Sequence, residues 1–146
     1  MVTDTLEERV GAVRYFNRFF TRQIGVLREG LLHSPYTLTE SRILFEIAHR
    51  DQVTASALCR ELGLDAGYLS RILTNLEQQG LIEKVRSTSD GRQRLLCLTV
   101  EGEKAFALLD QRSREEVSEM LNDLSEENQQ RLLKAMQVGT IQRRGY

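Results

Sequence analysis

Apolar residues recur at spacings of three and four positions along most of the chain, which is the period of an amphipathic α-helix. The first such stripe ends just before Ser34-Pro35, and it predicts one long helix because the residue before a proline avoids helical geometry. Its members are Leu6, Val10, Val13, Phe16, Phe20, Ile24, Leu27 and Leu31.

Three shorter helices are predicted after the proline. Thr39 is the expected N-cap of the second helix and Asp65 that of the fourth, because their side-chain oxygens can accept hydrogen bonds from free amides. Gly63 is expected to end the third helix, roughly Ala55 to Leu62, and Gly80 to end the fourth, since glycine adopts left-handed geometry without strain.

Two short runs, Leu81 to Arg86 and Gln93 to Thr99, are joined by Ser-Thr-Ser-Asp-Gly, a turn signal typical of a β-hairpin. Thr99 and Ser125 are the expected N-caps of a fifth helix, reaching about Asn122, and of a sixth helix. Their predicted buried faces contain Ala105, Leu109, Val117, Met120 and Leu121 on the fifth and Leu132, Leu133 and Met136 on the sixth. The predicted order is α-α-α-α-β-β-α-α, a mainly α fold (α+β) in one domain, residues 1–146.

The third and fourth helices with the glycine turn between them form a helix-turn-helix, and the hairpin that follows makes it a winged helix. An α-helix fits the major groove of B-DNA, where arginine pairs with guanine and asparagine with adenine. The polar face of the fourth helix supplies the candidate DNA contacts Tyr68, Ser70, Arg71, Thr74 and Asn75. The alternative for this set is an ordinary solvated face, and the alternative for Tyr68 is packing against the hairpin.

The net charge of −1, from 20 Lys and Arg against 21 Asp and Glu, excludes a polycation that coats nucleic acid by charge alone. The charge is nevertheless uneven, because residues 84–94 hold four basic residues and one acid while residues 101–127 hold nine acids and three basic residues. A basic hairpin on an otherwise acidic protein favours one orientation of the protein on the phosphate backbone of DNA.

The candidate contacts on this basic hairpin are Arg86, Ser87, Thr88, Asp90, Arg92 and Arg94. Asp90 is expected to cap or salt-bridge within the turn and so to fix the direction of Arg92, which would find negative potential in the minor groove. Arg94 has two interpretations that the sequence leaves open, a DNA contact or an ion pair with Asp90.

These segments resemble a known family. The run LGLDAGYLSRILTNLEQQGLIE, Leu62 to Glu83, and the run DGRQRLLCLT, Asp90 to Thr99, are similar to the MarR family of transcriptional regulators. The recognition-helix Ser/Thr-Arg pair of that family is met by Ser70 and Arg71. Its wing signature, Asp-x-Arg before a strand ending in Leu-Thr, is met by Asp90, Arg92, Leu98 and Thr99.

The resemblance implies a homodimer joined through the first, fifth and sixth helices. Residues 1–36 and 100–146 would then be dimerisation helices that flank a DNA-binding lobe, residues 37–99. It also implies binding of a palindromic operator, an inverted repeat in double-stranded DNA, often to repress nearby genes, with release by small aromatic or phenolic effectors.

An effector site between the dimer helices and the winged helix is one interpretation of a second set of residues. The candidates for an aromatic or anionic effector are Arg14, Tyr15, Arg18, Phe19 and Tyr36. A solvated basic face is the alternative for the arginines, and a dimer core is the alternative for the aromatic residues.

A narrower resemblance concerns RFFTRQIGVL, Arg18 to Leu27, and SPYTLTE, Ser34 to Glu40. Both are similar to a branch often fused to a GNAT-type acetyltransferase, so the chain is either a stand-alone regulator or the N-terminal part of a longer protein. A winged-helix module that binds proteins is a further alternative, although such modules usually lose the basic wing.

Other function classes find little support in the sequence. It contains no nucleophile elbow, phosphate-cradling glycine loop or zinc-protease helix, so we expect no enzyme, no cofactor and no catalytic residue. His33 and His49 lack partners at ligand spacing, so no metal site is expected. Two cysteines, no apparent signal peptide and no long apolar run predict a cytoplasmic protein without a membrane partner.

Overall fold

The computed structural model describes residues 5–23 and 34–141. Its elements are α1 (Leu6–Gln23), α2 (Leu38–His49), α3 (Ala55–Leu62), α4 (Ala66–Gln78), β1 (Ile82–Arg86), β2 (Arg94–Leu98), α5 (Val100–Asn122) and α6 (Glu126–Ile141). The predicted order and the mainly α winged-helix fold are confirmed. The last part of the predicted first helix, with Ile24, Leu27 and Leu31, lies outside the described residues. No described helix is long and apolar enough to cross a membrane.

The start of α2 differs from the prediction, because Thr37 and not Thr39 is its N-cap. The Thr37 hydroxyl accepts a hydrogen bond from the Glu40 amide at 3.1 Å, and the Thr37 amide donates to the Glu40 carboxylate at 3.0 Å. This reciprocal pair requires a glutamate three residues after the cap, a spacing that Thr37 has and Thr39 lacks. Thr39 lies in the first helical turn.

The ends of the helix-turn-helix agree with the sequence. Thr54 and Asp65 cap α3 and α4 by accepting hydrogen bonds from the amides of Ala57 and Tyr68, at 3.2 and 3.0 Å. Gly63 ends α3 at a φ of 63°, in the left-handed region where a side chain would be strained. The turn between the two helices is therefore set by local chemistry.

The hairpin pairs β1 and β2 antiparallel, from Ile82 opposite Leu98 to Arg86 opposite Arg94. Each strand is shorter than predicted, since Leu81, Gln93 and Thr99 fall outside the ladder. Val53 adds an isolated bridge to Leu96, and this ties the segment before α3 to the sheet.

One hydrophobic core joins α2, α3, α4, the hairpin and the first half of α5. Its fully buried members include Ile43, Leu58, Leu73 and Leu76, with Leu109 from α5. By contrast, α1 has no buried residue, so its predicted apolar stripe is exposed in the described chain.

The chain divides into two compact units at Leu109 and Asp110. In the second unit, Ser125 caps α6 as predicted, and Gln129 donates to the carbonyl oxygens of Leu121 and Leu124 at 2.8 and 3.2 Å. Three residues that were predicted as buried, Val117 on α5 and Leu133 and Met136 on α6, are exposed because no described residue covers them.

The hairpin and α5 meet at a close backbone contact. The Thr99 hydroxyl donates to the Gly80 carbonyl oxygen and accepts from the Gly102 amide, while the Thr99 amide donates to the Leu81 carbonyl oxygen at 3.0 Å. A Cβ at Gly102 would lie 1.9 Å from the Leu81 carbonyl oxygen. Only glycine fits in this turn of α5.

A charged network, which the sequence analysis missed, connects α2 to α3. The nearly buried Glu46 carboxylate pairs with Arg42 at 3.0 Å and with Arg50 at 2.8 Å, and Arg50 also pairs with Glu61 of α3 at 2.6 Å. The hydrogen bond from Arg50 to Glu61 is the main cause that raises the pKa of Arg50. The signal available in the sequence was the basic-acidic-basic spacing of four residues on α2.

Gly102→Ala is expected to destabilise the protein by about 3 kcal/mol, because the added methyl group meets backbone that cannot rotate away. The free energy of unfolding in urea, followed by circular dichroism, measures the loss. Gly11→Ala is the matched control, since Gly11 is also helical but has open space at its Cβ. That change should stabilise α1 by about 0.5–1 kcal/mol. Equal midpoints for Gly102→Ala and wild type would contradict the close contact.

Glu46→Gln is expected to lower the free energy of unfolding by about 2 kcal/mol, because it removes the charge that two arginines share in a nearly buried position. Glu61→Gln is the control at the exposed end of the same network and should cost less than about 1 kcal/mol. If the two variants unfold at the same urea concentration, Glu46 is not the centre of the network.

Candidate nucleic-acid interface

Helix α4 has one buried face and one polar face. Leu69, Leu73 and Leu76 are buried at a helical spacing and anchor the helix in the core. The five candidate contacts of the opposite face, Tyr68, Ser70, Arg71, Thr74 and Asn75, are all exposed. The structure therefore brings them together on one accessible surface.

Two of these polar groups already take part in hydrogen bonds within the helix. The Thr74 hydroxyl donates to the Ser70 carbonyl oxygen at 2.9 Å, and the Asn75 side-chain oxygen accepts from Gln79 at 3.2 Å. Each bond orients its side chain and leaves other hydrogen-bonding groups free. These groups are the amide protons of Asn75 and the lone pairs of the Thr74 hydroxyl. No described residue forms an ion pair with Arg71.

The base of the wing is joined to α4. Lys84 of β1 pairs with Glu77 of α4 at 3.7 Å, so one of the four basic residues of the hairpin is partly neutralised. Within residues 5–23 and 34–141, Arg86, Arg92 and Arg94 form no ion pair, and all three are exposed. The uncompensated positive charge of the hairpin therefore lies on arginines at and beside its tip.

Asp90 acts through the backbone. Its carboxylate accepts a hydrogen bond from the Arg92 amide at 3.1 Å, and its carbonyl oxygen accepts from the Gln93 amide at 3.0 Å. The expected capping of the turn is confirmed. The alternative pairing of Asp90 with Arg94 is absent from the ion pairs of the described chain.

Ser87 differs from the other wing candidates because it is only 6% exposed. Its hydroxyl accepts hydrogen bonds from the amides of Ser89 and Asp90, both at 3.3 Å, and lies 3.0 Å from the Ser89 hydroxyl. This buried group faces the loop itself and not the solvent, whereas Thr88 is exposed. A direct contact from the Ser87 side chain to DNA, as the sequence suggested, does not fit this geometry.

The candidate effector residues lie in two different environments. Arg14, Tyr15, Arg18 and Phe19 are exposed along α1. Tyr36 is half-buried and packs against the core. Their assignment to one effector site stays a prediction.

Among the other titratable groups that the sequence raised, His33 lies outside the described residues, whereas His49 and both cysteines are described. His49 stacks on Phe45 with ring centroids 4.1 Å apart and meets the edge of Phe106 at 5.4 Å. Cys59 and Cys97 are both half-buried and free, and they line two separate surface cavities of about 420 and 570 Å³. No group of three or more His, Cys, Asp or Glu side chains in the described ranges is arranged to hold a metal ion.

Sequence comparison shows that the lobe is similar to known families of transcriptional regulators. The profile of the MarR family matches residues 34–93. The HTH-type transcriptional regulator BilQ of Clostridium symbiosum is 36% identical over 73 residues, which are 50% of this chain and 51% of that protein. The organic hydroperoxide resistance transcriptional regulator of Bacillus subtilis is 40% identical over 52 residues, 36% of this chain and 35% of that protein. The chain thus matches about half or less of the length of these two relatives.

Structural similarity extends over both flanks of the lobe. The crystal structure of Streptococcus pneumoniae FabT in complex with DNA superposes with a TM-score of 0.74 at 26% identity, covering 90% of this chain and 92% of that one. A structure of the MarR family transcription regulator SP03579 gives a TM-score of 0.72 at 26% identity, covering 92% and 87%. The profile match, the relatives and these structures agree that the winged-helix lobe is similar to that of MarR family transcriptional regulators.

Proposed function

We propose that this protein is a sequence-specific, DNA-binding transcriptional regulator that acts as a homodimer on an inverted-repeat operator. Helix α4 enters the major groove, and the tip of the wing lies along the adjacent minor groove. The observation that carries the proposal is the pairing of an exposed polar face on α4 with exposed arginines on the wing that no described acid neutralises.

The two surfaces have different chemistry and therefore different tasks. Arg71 and Asn75 carry donor and acceptor groups that suit base edges, and such contacts distinguish one sequence from another. Arg92 on the wing suits phosphates and the negative potential of a narrow minor groove, which supply affinity and position. The solved complex of FabT with DNA supports DNA binding by the proposed interface, since that protein is a structural relative of this chain.

The second copy is proposed from exposed apolar surface on the flanking helices. On α1, Val13, Phe16 and Phe19 are at least half exposed, and on α6 so are Met136 and Val138. Large apolar side chains in such number favour burial against a partner. A two-fold axis would place the two α4 helices about 34 Å apart, one turn of DNA, and the same symmetry would require an inverted repeat in the operator.

We further propose that the regulator is a repressor released by a small aromatic or anionic effector. The exposed Arg14 and Arg18 of α1 offer charge to an anion, and Tyr15, Phe19 and Tyr36 offer rings. An effector that binds one dimer conformation better changes the spacing of the two α4 helices, and both half-sites are then lost together.

Duplexes enriched from a random-sequence library test the core of the proposal. Fluorescence anisotropy with the full chain should show binding that weakens by orders of magnitude between about 50 and 200 mM salt. The enriched sequences should share an inverted repeat, and sedimentation should show two copies per duplex. A monomer that binds no duplex at low salt would overturn the proposal and favour a protein-interaction module.

Arg92→Ala should weaken binding to every duplex and flatten the salt dependence. The slope of log affinity against log salt falls by about 0.9 for each phosphate that the protein no longer neutralises, so a dimer should show a decrease of nearly 2. Lys104→Ala on α5 is the control, because it removes the same charge from outside the wing. An unchanged slope for Arg92→Ala would show that the wing tip does not contact phosphates.

Arg71→Ala should discriminate between base and phosphate contacts. If Arg71 pairs with a base, the loss on the enriched operator is on the order of 1–3 kcal/mol, and the loss on random duplex is much smaller. The ratio of the two dissociation constants, measured by anisotropy at one salt concentration, is the readout. Equal losses on both duplexes would assign Arg71 to the phosphate backbone.

A further inference from the structure

The tip of the wing, residues 87–93, is organised around a single buried hydroxyl. Ser87 is 6% exposed, although it belongs to a loop whose other members are exposed. A buried hydroxyl in a projecting loop needs its hydrogen-bonding capacity satisfied within the protein. The contacts of Ser87 show how that requirement is met.

The Ser87 hydroxyl is saturated by neighbours in the loop. A serine oxygen has two lone pairs and one proton to offer. The amides of Ser89 and Asp90 take up the lone pairs at 3.3 Å each, and the Ser89 hydroxyl at 3.0 Å is placed to accept the proton. Ser87 therefore has no free hydrogen-bonding group for a phosphate or a base unless the loop opens.

A chain of hydrogen bonds leads from Ser87 to Arg92. The Asp90 amide is held by Ser87, and the Asp90 carboxylate in turn accepts from the Arg92 amide at 3.1 Å. The loop is closed by the Ser87 amide, which donates to the Gln93 carbonyl oxygen at 3.0 Å. The Ser87 hydroxyl is thus the acceptor for the Asp90 amide, and the Asp90 carboxylate is the acceptor for the backbone that carries Arg92.

We propose that Ser87 is a positioning residue for DNA binding: its hydroxyl acts through Asp90 to hold the backbone of Arg92 in one conformation before the duplex arrives. The inference rests on the proposed function and adds to it a residue whose side chain does not touch DNA. A loop that is already ordered loses less conformational entropy on binding, so the arginine contact contributes more of its interaction energy to affinity.

Ser87→Ala is the decisive variant, because serine and alanine are both uncharged. Loss of a direct hydrogen bond from Ser87 to DNA would leave the number of neutralised phosphates unchanged and could not alter the salt slope. Loss of positioning releases Arg92 from its phosphate, so the slope should fall toward that of Arg92→Ala, by up to nearly 2 per dimer. Affinity at a fixed salt concentration should fall about tenfold for each wing, the effect of one charge-assisted hydrogen bond, and so by up to about a hundredfold for the dimer.

A double-mutant cycle separates the two roles. In the Arg92→Ala background, Ser87→Ala should have no further effect on affinity, because the group that Ser87 positions is already absent. Additive losses with an unchanged salt slope would overturn the proposal and make Ser87 a direct contact. Ser89→Ala is the matched control, since it removes a hydroxyl from the same loop but leaves the acceptor for the Asp90 amide.

A measurement without DNA keeps the inference independent of the proposed function. In the free protein, the amides of Ser89 and Asp90 should exchange with solvent several-fold faster in Ser87→Ala, at an unchanged thermal midpoint. Unchanged exchange would refute the role of Ser87 whether or not the wild type binds duplexes. If amide exchange is faster in Ser87→Ala and the wild type binds no duplex, the role of Ser87 in ordering the loop is supported and the proposed function is wrong.

Discussion

The architecture depends on a close backbone contact between the start of α5 and the two residues that precede β1, Gly80 and Leu81. The carbonyl oxygens of Gly80 and Leu81 are both taken by Thr99, and the missing side chain at Gly102 lets α5 approach the Leu81 backbone. Because Leu81 precedes β1 and Thr99 follows β2, this contact closes the hairpin at its base. The wing is thus anchored between α4 and α5, and its direction relative to α4 is a property of the backbone.

Charged residues of the lobe and its hairpin serve two different purposes. Lys84 pairs with Glu77 of α4 at the base of the wing, while Glu46 joins α2 to α3 through Arg50. The arginines at and near the tip have no such partner in the described chain, and this leaves their charge available to an external anion. The same residue types therefore stabilise the lobe at its centre and form the proposed interface at its edge.

Much of the lobe was predictable because its signals are local. Asp65 and Gly63 set the ends of helices through atoms only a few residues away, and these predictions are confirmed. The prediction of Thr39 as the N-cap of α2 was wrong, because two threonines lie near the start of the helix. The reciprocal hydrogen bonds with Glu40 select Thr37. Ser87 was placed among the DNA contacts because its burial depends on how the loop folds over it, and periodicity carries no information about that. The α1 stripe was predicted as one apolar face of a long helix, and no described residue covers it.

The sequence by itself determined the order of the helices and strands, the two faces of α4 and the concentration of positive charge in the hairpin. Each of these follows from side chains within one or two turns of each other. Only the tertiary structure decided which charges are neutralised, which hydroxyl is buried and why position 102 is glycine. Those properties depend on distances that are set when the chain folds, over a few residues in the loop at Ser87 and between separate segments at Gly102. At such contacts a change of one or two ångströms separates a hydrogen bond from a steric clash.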